Sequence, residues 1–96
     1  MKVKYFDLKN KRVFITGGGS GIGASIVEHF CEQECEVYFV DINIKESKKL
    51  ISNLKKKKIK IPYFIECNLL KIKKLQGIIN KIVKSKGPID ILINNA

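Results

Sequence analysis

Thr16-Gly17-Gly18-Gly19-Ser20-Gly21-Ile22-Gly23 is the stretch on which the reading of this chain turns. It is preceded by a short apolar run, Arg12-Val13-Phe14-Ile15-Thr16, that reads as a buried strand. Beyond Gly21 the apolar spacing changes to three and four, with Ile22, Ile26, Val27, Phe30 and Cys31 on one helical stripe running to about Glu34. A glycine cluster between a strand and a helix lets the backbone turn sharply and come close to a ligand without Cβ interference. The helix start behind it offers free N–H groups and the positive end of the helix dipole, which suit a pyrophosphate. Asp41 lies 18 positions after Gly23, at the end of the next apolar run. That is where a dinucleotide fingerprint needs its acidic residue.

Outward from this core the chain alternates strand and helix. Glu36-Val37-Tyr38-Phe39-Val40-Asp41 is a second strand, and Asn43 caps a second helix whose stripe is Ser47, Leu50, Ile51 and Leu54. Lysines at 55–58 and 60 mark the end of that helix, where cations suit the negative end of the dipole. A third strand is expected within Ile59 to Cys67, with Pro62 near its start making it an edge strand. A third helix is expected from Leu70 to Lys86, with Ile72, Leu75, Ile79, Ile82 and Val83 on one face and Gly87-Pro88 as its stop. Ile89-Asp90-Ile91-Leu92-Ile93 is a fourth strand. Strands joined by helices of this length pair in parallel through right-handed crossovers. The first two helices then cover one sheet face and the third covers the other.

The 96 residues suffice for one small unit, with 45% hydrophobic and 29% charged residues and two prolines, a globular composition. No apolar run is long enough for a membrane-spanning helix, and the N-terminus lacks the apolar segment of a signal peptide. Three cysteines, Cys31, Cys35 and Cys67, and one histidine, His29, give neither a disulfide framework nor a metal site, and they fit a reducing cytoplasm. The formal charge of +10 is uneven: eleven lysines against Glu66 and Asp90 fall after residue 54. Nucleic-acid binding is disfavoured, because 18 of the 19 basic residues are lysine and no aromatic stacking partners are interleaved with them. A solvated lysine face is expected instead.

Thr16-Gly17-xxx-Gly21-Ile22-Gly23 resembles the TGxxxGIG signature of short-chain dehydrogenases/reductases. Asp90-Ile91-Leu92-Ile93 with Asn94-Asn95-Ala96 resembles that family's strand end before its NNAG motif, and Phe6-Asp7-Leu8-Lys9-Asn10-Lys11 its lead-in. The resemblance implies half of a Rossmann (doubly wound) α/β fold, with a parallel sheet of about four strands in the order 3-2-1-4 and three helices. It implies NAD as cofactor, with Gly17, Gly21 and Gly23 shaping the loop and Ser20 and the Ile22 amide facing the phosphates and ribose. Asp41 would accept from the adenosine ribose hydroxyls, Asn68 and Leu69 would border the adenine, and Asn95 and Ala96 would line the pocket beside the ribose. Asn94 would instead tie the strand end to neighbouring backbone. Asn68 stands where the family usually has Asp, and its amide oxygen could still accept from the adenine amino group.

The parent chemistry implied is hydride transfer between a nicotinamide and an alcohol or carbonyl. The family's catalytic Ser, Tyr and Lys lie beyond the NNAG motif, so residues 1–96 are expected to be a truncated NAD-binding domain, inactive alone and without catalytic residues of its own. Tyr5 and Lys9 match the YxxxK spacing, but ahead of the first strand. The alternative is a non-catalytic interaction module, and after it a basic nucleic-acid-binding protein. With no fifth strand to cover it, strand 89–94 is expected to pair with a second copy or another chain.

Overall fold

The computed structural model describes residues 6–95. Tyr5 and Ala96 lie outside the described residues. After a short 3-10 turn at Phe6–Leu8 come strand β1 (Arg12–Thr16), helix α1 (Gly21–Glu32), β2 (Glu36–Asp41), α2 (Ile44–Lys56), β3 (Tyr63–Glu66), α3 (Ile72–Lys86) and β4 (Ile91–Asn94). The four strands form one parallel sheet in the order β3-β2-β1-β4. This is the expected half of a doubly wound fold, with three helices and the strand order 3-2-1-4.

Alternation along the strands sorts the core into two layers. Val13, Ile15, Val37 and Phe39 face α1 and α2 and pack with Val27, Cys31, Leu50 and Leu54. Phe14, Tyr38 and Val40 point to the other face, where Ile82 of α3 and Cys67 meet them. Fully burying a side chain such as Val27 or Leu54 contributes roughly 1.5–3 kcal/mol relative to leaving it exposed. On the edge strand, Phe64 stacks on Phe39 at 5.2 Å and Tyr63 on Tyr38 at 4.9 Å. The first layer is the fuller one, because two helices cover it and one helix covers the second.

Several expected boundaries move. The third strand lies within the expected stretch and starts directly after Pro62, which has no N–H to donate to the ladder. The fourth begins at Ile91, after Gly87 at φ 111° and the loop that follows it. Helix α1 ends at Glu32, where Glu34 turns left-handed at φ 64°. Helix α3 starts at Ile72, after an Asn68 turn. Ile22, expected on the apolar stripe of α1, is 75% exposed, because the stripe closes on the sheet only from Gly23 onward. Ile72 and Val83 are exposed as well, and Ile78 takes their place against the sheet.

Register sets the geometry of the site end. Thr16 is level with Val40 on one side and with Asn94 on the other. Asp41 extends one residue further, opposite Glu66. The loops after β1, β2, β3 and β4 therefore all emerge at the same end of the sheet. The opposite end is clamped by Arg12, whose Nε donates to Glu36 and whose Nη1 donates to the Pro88 carbonyl at 2.9 Å. Its backbone N–H donates to Asp90 at 2.7 Å.

Candidate functional site

The glycine turn leaves β1 with Gly17 in the left-handed region (φ 68°) and enters α1 with Gly21 there too (φ 57°). At Gly21 a Cβ would meet nothing within 4 Å, so the backbone conformation, not packing, requires glycine, and open space lies over the helix start. Gly23 is the reverse case. A Cβ there would sit 1.9 Å from the Gly17 carbonyl oxygen and 2.6 Å from Asn95 Nδ2. Gly17 and Gly23 are thus pressed together where the turn crosses the helix.

Ser20 is the N-cap of α1 in extended geometry, and its side chain caps no N–H. The first intrahelical bond runs from the Ala24 N–H to the Ser20 carbonyl at 3.2 Å. The N–H groups of Gly21, Ile22 and Gly23 precede it and belong to the donors a helix start leaves over. No acidic side chain lies in that first turn, so the positive dipole end is not neutralised from within the helix.

Asp41 closes the turn from the side of β2. Its Oδ2 accepts from the Gly19 N–H at 2.8 Å and its Oδ1 from the Asn43 N–H at 2.8 Å. The Gly17 N–H donates to the Val40 carbonyl at 2.8 Å, so the turn is stitched to the β2 end by backbone as well. An ionised carboxylate offers about four acceptor positions, and two remain for an incoming hydroxyl pair. Asn43 caps α2 as expected, its side chain accepting from Glu46 N–H at 3.1 Å. Buried Ser47 donates to the Asn43 carbonyl at 2.7 Å and abuts Gly19, where a Cβ would fall 2.3 Å from its Oγ.

After β4 the two asparagines share one junction. Thr16 Oγ1 donates to Asn94 Oδ1 at 2.9 Å and accepts from the Asn95 N–H at 3.0 Å. Asn95 Nδ2 donates to the Gly17 carbonyl at 3.1 Å. Asn94 therefore ties the strand end to the Thr16 side chain, and Asn95 supplies the tie to backbone that was expected of Asn94.

Past β3, the Cys67 N–H donates to the Asp41 carbonyl at 3.1 Å, which places Asn68 beside the β2 end. Asn68 Oδ1 accepts from the Leu70 N–H at 2.9 Å, an Asx-turn that leads into α3. Leu69 is half-buried against the α3 layer. Between the ends of β2 and β3 and the first turn of α3 lies an open cleft of about 540 Å³, lined by Ile42, Glu66, Asn68 and Lys71, Lys73 and Lys74.

Hydrogen bonds thus join Gly19 to Asp41 and Asn95 to Gly17 at one end of the sheet, with Gly21, Ile22 and Gly23 at the helix edge and Asn68 one strand away. Ile42, Ser47 and the three lysines of the cleft were not read as site residues. Ser47 had a signal, being a small polar residue within an apolar stripe. The lysines had none, because nothing in a run of lysines says which of them turn toward a cleft.

Known proteins bear on this arrangement. The sequence profile of the family described as short chain dehydrogenase matches residues 11–96. The D-xylose 1-dehydrogenase of Caulobacter vibrioides is 40% identical over 92 residues, which is 96% of this chain and 35% of that protein. This chain spans about a third of the length of the curated relatives it matches. Among solved structures, a short chain dehydrogenase from Mycobacterium smegmatis superposes with a TM-score of 0.82 at 22% identity, covering 97% of this chain and 39% of that one. The L-sorbose reductase from Gluconobacter frateurii, complexed with NADPH and L-sorbose, gives 0.74 at 24% identity, covering 92% of this chain and 34% of that one. On the match over residues 11–96, this chain belongs to the short-chain dehydrogenase family.

Proposed function

We propose that residues 1–96 form an NAD-binding unit of an oxidoreductase and hold the adenosine and pyrophosphate half of the dinucleotide. The observation that carries the proposal is Asp41, fixed at the β2 end by the Gly19 and Asn43 N–H groups beside an uncapped helix start. The residues fit the group: open space lies over Gly21, and donors left over by α1 face it. When bound, the nicotinamide supplies or takes up a hydride, and the parent reaction is interconversion of an alcohol and a carbonyl.

The roles proposed for the chain's own residues are those the family resemblance implies, and the geometry is compatible with them. The Gly21, Ile22 and Gly23 amides, with Ser20, bind the phosphates by hydrogen bonds and the dipole of α1. Gly17 and Asn95 hold the turn in the shape that binding needs, and Asn95 borders the ribose. Asp41 accepts from the two hydroxyls of the adenosine ribose, and Asn68 and Leu69 border the base. No catalytic residue is assigned within this chain. A 2′-phosphate would bring its negative charge against the Asp41 carboxylate, so NAD is favoured over NADP. The cofactor named with the sorbose reductase is NADPH, which makes this preference the part most in need of a test.

Calorimetric titration with NAD, NADP and ADP tests it. NAD binds more tightly than NADP, and Asp41→Ala weakens NAD and narrows the gap. Equal or tighter binding of NADP at matched salt would sink the assignment.

The same proposal includes assembly through strand 89–94. Among the described residues β4 pairs on one side only, with β1, and Leu92 on it is 63% exposed. Sedimentation equilibrium at micromolar concentration reads a dimer that Ile91→Lys weakens; a monomer refutes it. No described helix is long and apolar enough to cross a membrane. The free cysteines support a reducing, cytoplasmic setting.

A further inference from the structure

Strand β3 pairs with β2 alone, and its far side is an open edge. The Cys67 N–H donates to the Asp41 carbonyl at 3.1 Å, and that bond fixes the direction of every backbone group along the strand. Successive residues point their N–H and C=O to opposite sides, so Tyr63 and Ile65 turn theirs toward β2 while Phe64 and Glu66 turn theirs outward. Among the described residues nothing else bonds to the Phe64 or Glu66 backbone. Such an edge is ordinarily blunted by lysine within the strand, by proline or by a covering element. Pro62 stops this one at its start, but Ile61 to Leu70 contains no lysine, although residues 55–96 hold eleven.

The sheet face beside that edge is apolar. Tyr63, stacked on Tyr38, is 54% exposed, and Ile61 just before it is 41% exposed. Between β3 and α3 runs a groove of about 320 Å³ walled by Tyr38, Ile65, Ile78 and Ile82, with Lys81 and Lys86 on its α3 side. A strand added to β3 would lie about 4.8 Å outside it. Its residue opposite Ile65 would point to this same face, because cross-strand partners share a face. In edge addition the main chain supplies affinity and alternate side chains supply selectivity. Charge selects among extended segments. Residues 55–96 set eleven lysines against Glu66 and Asp90, with lysines at 55–58 and 60 just before the strand and Lys71 soon after it. A second copy added here would bring those lysines against their own kind, whereas an acidic segment would be drawn in.

We infer that the outer edge of β3 is a docking surface for an extended acidic segment of a partner protein, which adds to the sheet as a further strand. The Phe64 and Glu66 backbone groups hold its main chain, and a bulky apolar residue of the segment lies over Ile65 at the mouth of the groove.

The test is fluorescence anisotropy of the chain with a fluorescein-labelled peptide that alternates phenylalanine and valine and carries aspartates at both ends. A matched peptide with proline for the central valine keeps the charge and loses an N–H. Expected is saturable binding of the first peptide, weaker binding of the second, and a loss of about fivefold in Glu66→Pro, the size of one hydrogen bond. Glu66→Pro removes an outward N–H without touching the ladder to β2, and circular dichroism checks its fold; if it does not fold, the two peptides decide. Glu66→Gln removes the same charge, keeps the N–H, and binds as the parent does or more tightly. With lysines for the aspartates the peptide loses its binding. No saturable binding, equal binding of the two matched peptides, equal binding by a folded Glu66→Pro, or retained binding of the lysine peptide overturns the inference. So does self-association of the chain that Glu66→Pro abolishes, which gives the edge to a second copy.

Discussion

Gly23→Ala is the substitution that most directly weighs the packing of the glycine turn. The added methyl would lie 1.9 Å from the Gly17 oxygen, more than an ångström inside the 3.0 Å that real Cβ atoms keep. The atom it meets is backbone, so no side chain can swing away; the turn itself must move. That movement strains the Asn95 Nδ2 bond to Gly17, worth about 1 kcal/mol. Overpacking of this kind costs typically about 1–3 kcal/mol. Against it stands the helix propensity gained from Gly to Ala, about 1 kcal/mol in a helix interior. The net is a destabilisation of about 1–3 kcal/mol, or a fall in melting temperature of roughly 5–20 °C for a unit of this size. Gly77→Ala is the control, since it lies within α3 with nothing within 4 Å of its Cβ, and it should gain roughly 0.5–1 kcal/mol. Urea denaturation of both variants against the parent measures the pair. A Gly23→Ala midpoint equal to or above the parent's would refute the packing account of the turn.

Partial burial alone would raise the Glu36 carboxyl, but the Arg12 guanidinium and the Tyr38 hydroxyl outweigh it and hold it below the usual range. The stability this contributes is present above the unfolded-state value and is lost as pH falls through the lower folded value, at about pH 4 and below. The stability gap between parent and Glu36→Gln should therefore shrink on acidification, and a gap that is constant with pH contradicts it. Thr16→Val removes a hydroxyl that both donates to Asn94 and accepts from Asn95, and should cost about 1–3 kcal/mol in urea midpoint measurements; an unchanged midpoint would show the junction to be dispensable. Burial, with a smaller push from Cys35, raises the Cys31 thiol to about 12, so iodoacetamide at about pH 8 should label it only after unfolding. Labelling of the native protein as fast as in urea would contradict that.

How much of this was legible beforehand can be argued residue by residue. Strand β2 and the cap at Asn43 were readable because their signals are local: an unbroken apolar run bounded by charge, and a side chain that reaches its own helix. Parallel pairing followed from the length of the connecting helices, whereas the order 3-2-1-4, which the sheet shows, was implied by the family resemblance. Ile22 and Ile72 were misread for a physical reason: periodicity finds a stripe but not the point where the helix leaves the sheet.

The sequence by itself determined the alternation of strands and helices, the position of the glycine turn and the acid at the end of β2, because each depends on neighbours along the chain. The tertiary structure alone decided how those pieces are held. It set the Gly19 and Asn43 amides on Asp41, the Asn95 amide on Gly17, and Asn68 turned oxygen-inward to Leu70 with lysines around its cleft. Two of these contacts, Gly19 on Asp41 and Asn95 on Gly17, join residues from different loops at one sheet end. Their partners are set by strand register, and register is a property of the assembled sheet rather than of any segment in it.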